Sequence, residues 1–166
     1  MNHATRIVCP VCKAAGKKVE LFTVRSLVRA DWIAGLGGDD YLFCANPDCD
    51  VVYYSEGQNL IRKHQLKTRV GLKEKEAPRP VCYCFGHTVE DIHAEIRETG
   101  KSTVGREITD KIEASLCHCE DANPEGRCCL GNVAAAVIEA LRAYDATKEK
   151  QAVVIAAAQD CCQGQS

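Results

Sequence analysis

The sequence predicts an α+β fold in which a small β-rich domain is followed by a helical domain. Short runs of β-branched and aromatic residues, such as VVYY at residues 51–54, occur mainly in the first half of the chain. Apolar residues at helical spacing characterise the second half. The chain has 12 cysteines among 166 residues, most of them in close groups, which is typical of small domains held together by metal ions.

The composition argues against several classes of function. The formal net charge is −2, and no basic patch of the kind that binds nucleic acid is evident. No window reaches about 18 consecutive apolar residues, so we expect no membrane span. The residues after Met1 lack an apolar signal segment, so we expect a cytoplasmic protein whose clustered cysteines bind metal rather than form disulfides.

The first domain, which we assign to residues 1–77, carries the pattern of a zinc site. A Cys-Pro-Val-Cys turn begins at Cys9, and a second cysteine pair begins at Cys44. Two such pairs suit tetrahedral coordination of Zn²⁺ by four thiolates, and a closed site of this kind is usually structural. The predicted zinc ligands are Cys9, Cys12, Cys44 and Cys49.

Short strands are expected around this zinc site. The apolar runs at residues 19–24, 41–43 and 51–54 are predicted to be strands next to the cysteine turns. Residues 26–35 are predicted to form a short helix, because their apolar residues share one helical face. These elements make the first domain β-rich.

Residues 58–77 are strongly basic and end the first domain. Two interpretations remain open, namely a solvated surface of the zinc domain or a docking patch for an acidic redox partner. Two prolines, Pro78 and Pro80, then interrupt secondary structure and mark the start of a helical domain that we assign to residues 78–145. The basic residues of this segment are Arg62, Lys63, His64, Lys67, Arg69, Lys73 and Lys75.

Three helices are predicted in the second domain. The first begins after Thr88, which suits an N-cap, and ends at Gly100. The second begins at Ser102 or Thr103, and its apolar stripe continues to Leu116. The third begins at the Cys-Cys pair of residues 128–129 and continues to about residue 144.

The remaining residues, 146–166, are assigned to a C-terminal tail. This tail contains an Ala/Val-rich stretch followed by two adjacent cysteines, Cys161 and Cys162. Chain ends are rarely ordered unless they pack against a core, and no core position is predicted for this one.

Six cysteines lie around the predicted helices, in one group before the first helix and another between the second and the third. Two cysteine pairs brought together by a helical hairpin supply the four thiolates that a [2Fe–2S] cluster needs. We therefore interpret the second domain as a [2Fe–2S]-binding domain. The six cysteines are Cys82, Cys84, Cys117, Cys119, Cys128 and Cys129.

Cys82 and Cys84 are the only candidates in the first group, and helical periodicity selects two of the four cysteines in the second. Cys119 continues the apolar stripe of the second helix, and Cys129 falls on the buried face of the third. Both are therefore preferred over Cys117 and Cys128, which remain alternates. The predicted cluster ligands are Cys82, Cys84, Cys119 and Cys129.

Two histidines, His87 and His118, lie near these cysteines in the sequence. A Rieske-type centre uses two histidine ligands. Because enough cysteines are present, we interpret both histidines as neighbours of the cluster rather than as ligands. Their N–H groups are nevertheless suited to hydrogen-bond a sulfur and raise the reduction potential.

Several motifs resemble the N-terminal region of the CopZ-type iron–sulfur copper chaperones. CYCFG at residues 82–86 and the long segment 117–133 are similar to that family's cluster-binding part. Residues 9–12 and residues 44–53 are similar to its zinc domain. The resemblance implies a zinc domain followed by a [2Fe–2S] domain similar to bacterioferritin-associated ferredoxin, and it implies the cluster ligands selected above.

The resemblance also implies a function and shows one departure. In such chaperones the cluster is thought to supply the electron that reduces Cu(II) to Cu(I). The family's chaperones continue into a ferredoxin-like domain with a Met-x-Cys-x-x-Cys copper loop. This sequence has no such loop, since its single methionine is Met1, and the part that would carry copper is either missing from it or replaced by the cysteine pair at residues 161–162.

The leading hypothesis is a cytoplasmic [2Fe–2S] and zinc protein of soft-metal, copper-type homeostasis. It would act as a metallochaperone-like module that transfers electrons to a metal ion such as copper, held as Cu(I), or to a redox or metal-transport protein. One alternative is a plain electron carrier for a reductase or an iron-storage protein, and another is a regulatory module. The sequence indicates no nucleophile or acid–base pair, so an enzyme is not expected beyond reduction of a metal ion.

Overall fold

The computed structural model describes residues 7–38, 40–57 and 59–163, with residues 152–163 described as helix backbone alone. It confirms the predicted α+β class, with a four-stranded sheet in the first half and helices in the second. The strands are β1 (Gly16–Val19), β2 (Tyr41–Cys44), β3 (Val51–Ser55), β4 (Leu60–Arg62), β5 (Pro80–Cys82) and β6 (His87–Thr88). The helices are α1 (Leu21–Leu27), α2 (Ala30–Ile33), α3 (Val89–Thr99), α4 (Val104–Glu113), α5 (Cys119–Ala122) and α6 (Leu130–Gln163), with short 3₁₀ turns at Lys63–Gln65 and Gly71–Lys73.

The sheet of the first half is antiparallel, in the order β1-β2-β3-β4. All five residues of β3 are buried, as its β-branched and aromatic composition predicts. Gly16 pairs with Cys44, and a Cβ at Gly16 would lie only 2.3 Å from the Tyr54 hydroxyl oxygen. Glycine is therefore required where β1 passes this tyrosine.

The strand predicted at residues 19–24 is wrong for most of its length, because β1 ends at Val19 and α1 follows it. Thr23, Val24 and Leu27 are the buried residues of α1, so the helical face decided the conformation rather than the β-propensity of Val and Thr. The single helix predicted at residues 26–35 is interrupted at residues 28–29. Val28 is extended and bridges to Leu66, and only the short α2 lies beyond it.

The first helix of the second half is confirmed as α3. The Thr88 side chain accepts a hydrogen bond from the Asp91 N–H, while the Asp91 carboxylate accepts one from the Thr88 N–H. Gly100 ends the helix in the left-handed conformation, with φ of 76°. The buried face of α3 includes Ile92 and Ile96, which join the core of the second half.

The second and third predicted helices differ from the structure at their ends. Helix α4 ends at Glu113, before a residue of positive φ, Ser115. Leu116 is 59% exposed, so the apolar stripe does not continue to Cys119, which instead begins the separate helix α5. Helix α6 begins at Leu130, after the Cys-Cys pair.

Helix α6 also continues far beyond its predicted end at residue 144, because its backbone is helical to Gln163. The segment assigned to a tail, residues 146–166, therefore belongs to this helix as far as it is described. The side chains of Cys161 and Cys162 lie outside the described part of the chain. Among the described residues, no helix combines the length and the apolar character that a membrane span needs.

The basic segment before the second half is largely paired with acidic residues. The Lys63 ammonium and the Arg69 guanidinium each lie 2.9 Å from the Glu74 carboxylate. The Lys75 ammonium lies 2.7 Å from the carboxylate of Asp48. These pairs favour the interpretation of residues 58–77 as part of the first domain's own surface.

Candidate metal centres

Four cysteines of the first half converge on one point. The Sγ atoms of this zinc group all lie within 4.8 Å of one another. Two of the separations are 4.0 Å, between Cys9 and Cys49, and 3.5 Å, between Cys12 and Cys44. Four sulfurs about 2.3 Å from a tetrahedral Zn²⁺ would be separated by about 3.8 Å, so the residues fit this ion. The zinc group is Cys9, Cys12, Cys44 and Cys49.

Local turns of the backbone bring these sulfurs together. In the first turn the N–H of Cys9 donates to the carbonyl of Ala14 over 2.9 Å, and Lys13 adopts a positive φ of 62°. In the second turn the Asn46 side chain accepts a hydrogen bond of 3.0 Å from the N–H of Asp48. Each turn is fixed by contacts near in sequence, which explains why the cysteine spacing predicted the group.

The thiols of the zinc group differ in acidity. Burial raises the pKa of Cys44 to about 12. Burial acts in the same direction on Cys12, but hydrogen bonds from the Ala14 N–H, the Cys44 thiol and Asn46 outweigh it and lower the pKa of Cys12 to about 6. Because zinc binds thiolates, the protons held by the buried sulfurs must leave when the ion binds.

Lys73 is a buried cation beside the zinc group. It is only 3% exposed, and its ammonium donates to the carbonyls of Asn46 at 2.7 Å and Cys49 at 3.0 Å. A Zn²⁺ with four thiolates carries a net charge of about −2, so this ammonium offsets charge while it holds the second cysteine turn. The sequence placed Lys73 among solvated basic residues and gave no signal of this role.

We expect the Lys73→Met variant to bind zinc about tenfold more weakly, because residues that support metal ligands typically contribute 10- to 100-fold in affinity. Competition with a chromophoric zinc chelator measures this change. The matched control is Lys75→Met, because Lys75 is exposed and its ammonium pairs with the exposed Asp48. Equal zinc affinities of the two variants would show that Lys73 does not contribute to zinc binding.

The cysteines of the second half form two close sets. The Sγ atoms of an outer triad, Cys84, Cys117 and Cys119, lie within 4.8 Å of one another. An inner pair, Cys82 and Cys129, is buried in the core of the second half, and each thiol influences the pKa of the other. The two sets are adjacent, because Cys119 belongs to the same core cluster and Cys84 and Cys117 pack against it.

Backbone amides and burial shape the acidity of these thiols. The hydrogen bond from Cys129 is the largest effect on Cys82, and with the N–H groups of Phe85 and Cys84 it lowers the pKa of Cys82 to about 6. The same hydrogen bond raises the pKa of Cys129. Burial raises the pKa of Cys119. Within the inner pair the thiolate of Cys82 is therefore favoured over that of Cys129.

Residues 120–128, which separate Cys119 from Cys129, are held by the first half of the chain. We call them the cluster loop. The Tyr53 hydroxyl donates to the Pro124 carbonyl over 2.8 Å, and the Thr23 hydroxyl donates to the Glu120 carbonyl over 2.5 Å. Helix α1 packs directly against α5. The sheet that carries the zinc group thus supports the backbone between two predicted cluster ligands.

Glu125 is the buried carboxylate of the cluster loop. Its side chain is 6% exposed and accepts hydrogen bonds from Lys17 at 3.1 Å, Arg127 at 2.7 Å and Asn132 at 2.7 Å. Burial opposes ionisation, but these three donors outweigh it and lower the pKa of Glu125. The residue links β1, the cluster loop and α6, and no sequence pattern predicted this role.

Comparison with known proteins agrees with both parts of this architecture. Residues 6–67 match the CopZ zinc binding domain family. The copper chaperone CopZ of Archaeoglobus fulgidus is 40% identical over 121 residues, which are 73% of this chain and 57% of that protein. The X-ray structure of the Archaeoglobus fulgidus CopZ N-terminal domain is 39% identical and superposes with a TM-score of 0.65, covering 74% of this chain and 92% of that one.

This chain belongs to the CopZ family. The resemblance predicted from the sequence is confirmed, and it concerns the N-terminal region of such proteins. The CopZ-family chain spans 57% of the length of the curated relative. The four-cysteine group and the family match together make residues 6–67 a zinc-binding domain.

In this CopZ-family chain the four predicted cluster ligands lie in two adjacent sulfur sets, and the assignment stays a prediction. Cys128 is exposed and outside both sets, whereas Cys117 belongs to the outer triad. The Nδ1 atom of His118 lies 2.9 Å from the Asp121 carboxylate, and its backbone N–H donates to the Cys84 sulfur. His87 pairs with Cys82 between β6 and β5.

Proposed function

We propose that this chain is a redox protein of soft-metal homeostasis that holds a structural zinc ion and a [2Fe–2S] cluster. The observation that carries the proposal is the presence of two separate thiolate groups, one with the geometry of a closed tetrahedral site and one with paired sulfurs. The zinc domain is assigned above. The proposed cluster ligands are Cys82, Cys84, Cys119 and Cys129, and the proposed domains are residues 1–77 and 78–145.

The sulfur sets of the second half fit a two-iron cluster. Each iron of a [2Fe–2S] centre takes two thiolates, and the inner pair supplies two while the outer triad supplies at least two more. When bound, such a cluster supplies one electron at a time. The chain's own residues are then responsible for holding the charge, excluding water and admitting a partner.

Two features of the chain serve these tasks. Backbone N–H groups point at the sulfurs of Cys82, Cys84 and Cys119, and such donors stabilise thiolates and tune the potential of a cluster. The inner pair lies in the apolar core of the second half, whereas Cys84 and Cys117 are half-buried. Electrons would therefore leave through the outer edge of the site.

The proposed acceptor is a copper ion, reduced from Cu(II) to Cu(I). The Archaeoglobus fulgidus relative is named a copper chaperone, and thiolate-rich surfaces favour soft ions such as Cu(I). A redox or metal-transport protein would then take the ion. The alternative, a plain electron carrier, would serve a reductase or an iron-storage protein, and the loaded protein would hold no copper.

One experiment tests the proposal in two steps. Protein purified without oxygen is expected to contain about two iron, two acid-labile sulfide and one zinc per chain. Cu(I) is then titrated into this loaded protein under a competing chelator, and we expect retention of Cu(I) without loss of zinc. Iron near one per chain without sulfide would refute the cluster, and a full cluster that retains no Cu(I) would favour the plain electron carrier.

A further inference from the structure

The outer triad contains one more sulfur than an iron atom of a [2Fe–2S] cluster needs. Cys82 and Cys129 form the inner pair, so the second iron has three sulfurs to choose from. Cys84 is the only one of them from the first cysteine group. The choice that remains open is therefore between Cys117 and Cys119.

The sulfurs of these two cysteines both lie close to that of Cys84. The Cys119 sulfur lies 3.4 Å from Cys84 and 3.3 Å from Cys117, and all three lie within 4.8 Å of one another. Cys119 begins helix α5, which packs against α1. Cys117 precedes it in an irregular connection and is half-buried.

The connection before Cys117 is exposed. Helix α4 has already ended at Glu113, and the chain reverses at Ser115 with a φ of 59°. Residues 113–116 are all exposed, and only Cys117 itself packs against the core. Of this connection, Cys117 alone would change its packing if its sulfur approached an iron atom.

We propose that Cys117 is an interchangeable ligand of the outer iron, which is held by Cys84 together with either Cys119 or Cys117. This inference rests on the proposed cluster. The exchange breaks one iron–sulfur bond and forms another, and the incoming thiol passes its proton to the departing thiolate, so no electron is gained or lost. Whichever sulfur is not used remains a free thiol next to the iron.

Among the cysteines whose side chains the structure describes, none offers such a substitute for the inner pair. Cys128 adjoins Cys129 in sequence, but it is exposed and belongs to neither sulfur set. Cys129 is 1% exposed and lies in the apolar core. The two ends of the site are therefore expected to respond differently to the loss of one cysteine.

Alanine variants test this asymmetry, because alanine offers no ligand atom. We expect Cys119→Ala to keep iron and sulfide close to the wild-type amounts, with shifted visible bands and a shifted electron paramagnetic resonance spectrum after reduction. The double variant Cys117→Ala/Cys119→Ala and the control Cys129→Ala are expected to lose both iron and sulfide. Zinc content, measured in the same samples, reports whether each variant is folded.

The outcomes are distinguishable. A wild type without sulfide would refute the proposed cluster itself. A loaded wild type beside a zinc-containing but iron-free Cys119→Ala variant would overturn the interchange, and so would a double variant that keeps its cluster. If Cys119→Ala loses zinc, the comparison is repeated with serine at position 119, because serine is closer in size to cysteine. Cys119→Ser is then compared with Cys117→Ala/Cys119→Ser. Only loss of the cluster in the double variant supports the interchange.

Discussion

Replacing Cys44 with Ala is expected to remove the zinc ion, unfold the first domain and lower the iron content of the second domain in the same protein. Structural zinc sites contribute about 10–16 kcal/mol of apparent binding free energy, which exceeds the net stability of most small domains. Circular dichroism, zinc content and iron content measure the three effects on one sample.

The loss of iron follows from the contacts between the two halves. Tyr53 and Thr23 belong to the first domain and donate hydrogen bonds to the cluster loop, and Lys17 of β1 pairs with Glu125. Unfolding the sheet removes all of these contacts at once. The backbone between two proposed cluster ligands would then lose its support.

Cys128→Ala is the matched control for this experiment. Cys128 is exposed and lies outside both the zinc group and the close sulfur sets of the second half. The control is expected to keep zinc and iron. A Cys44→Ala protein that lacks zinc but holds full iron and sulfide would show that the second domain supports its cluster loop alone.

Glu125→Gln is expected to destabilise the protein by about 2–3 kcal/mol at pH 7 and to reduce the retention of iron. Hydrogen bonds to a charged group contribute about 1.5–3 kcal/mol each. The side chains of Lys17 and Arg127 are 45% and 55% exposed, so water replaces part of the hydrogen bonding that they lose in the variant. Urea unfolding of the loaded protein measures the difference from the wild type.

The pH dependence of this difference has a definite sign. The pKa of Glu125 is lowered in the folded state, so its stabilising effect is fully present above the unfolded pKa of about 4.3 and is lost as the pH falls through the folded value. The difference between wild type and variant should stay constant from pH 7 to about pH 5 and shrink below about pH 4. A difference that grows towards low pH would contradict the assigned ion pair.

The matched control for Glu125→Gln is Glu139→Gln. Glu139 lies on α6 and is exposed, and the structure gives it no ion pair among the described residues. The control tests whether removal of one negative charge near the cluster loop has an effect of its own. We expect its free energy of unfolding to remain within about 0.5 kcal/mol of the wild type.

Features with a short-range cause were predicted well from the sequence. The α+β class, the convergence of the four zinc cysteines on two turns, and the limits of α3 between Thr88 and Gly100 all depend on residues close together in the chain. The periodicity argument for Cys119 succeeded only in part. Cys119 is buried, but in α5 against the first domain rather than as a continuation of α4.

The sequence alone thus predicted the right class of fold, the right family and the cysteine group of the zinc-binding domain, and its assignment of cluster ligands in the second half stays a prediction. Only the tertiary structure decided that residues 21–27 are helical, that Lys73 lies beside the zinc group and that Glu125 joins the two halves. The two kinds of feature differ in how far apart the interacting residues lie along the chain. A turn or a cap needs neighbours within a few residues, whereas the burial of a charge depends on partners as distant as Lys17 is from Glu125, which only the folded chain brings together.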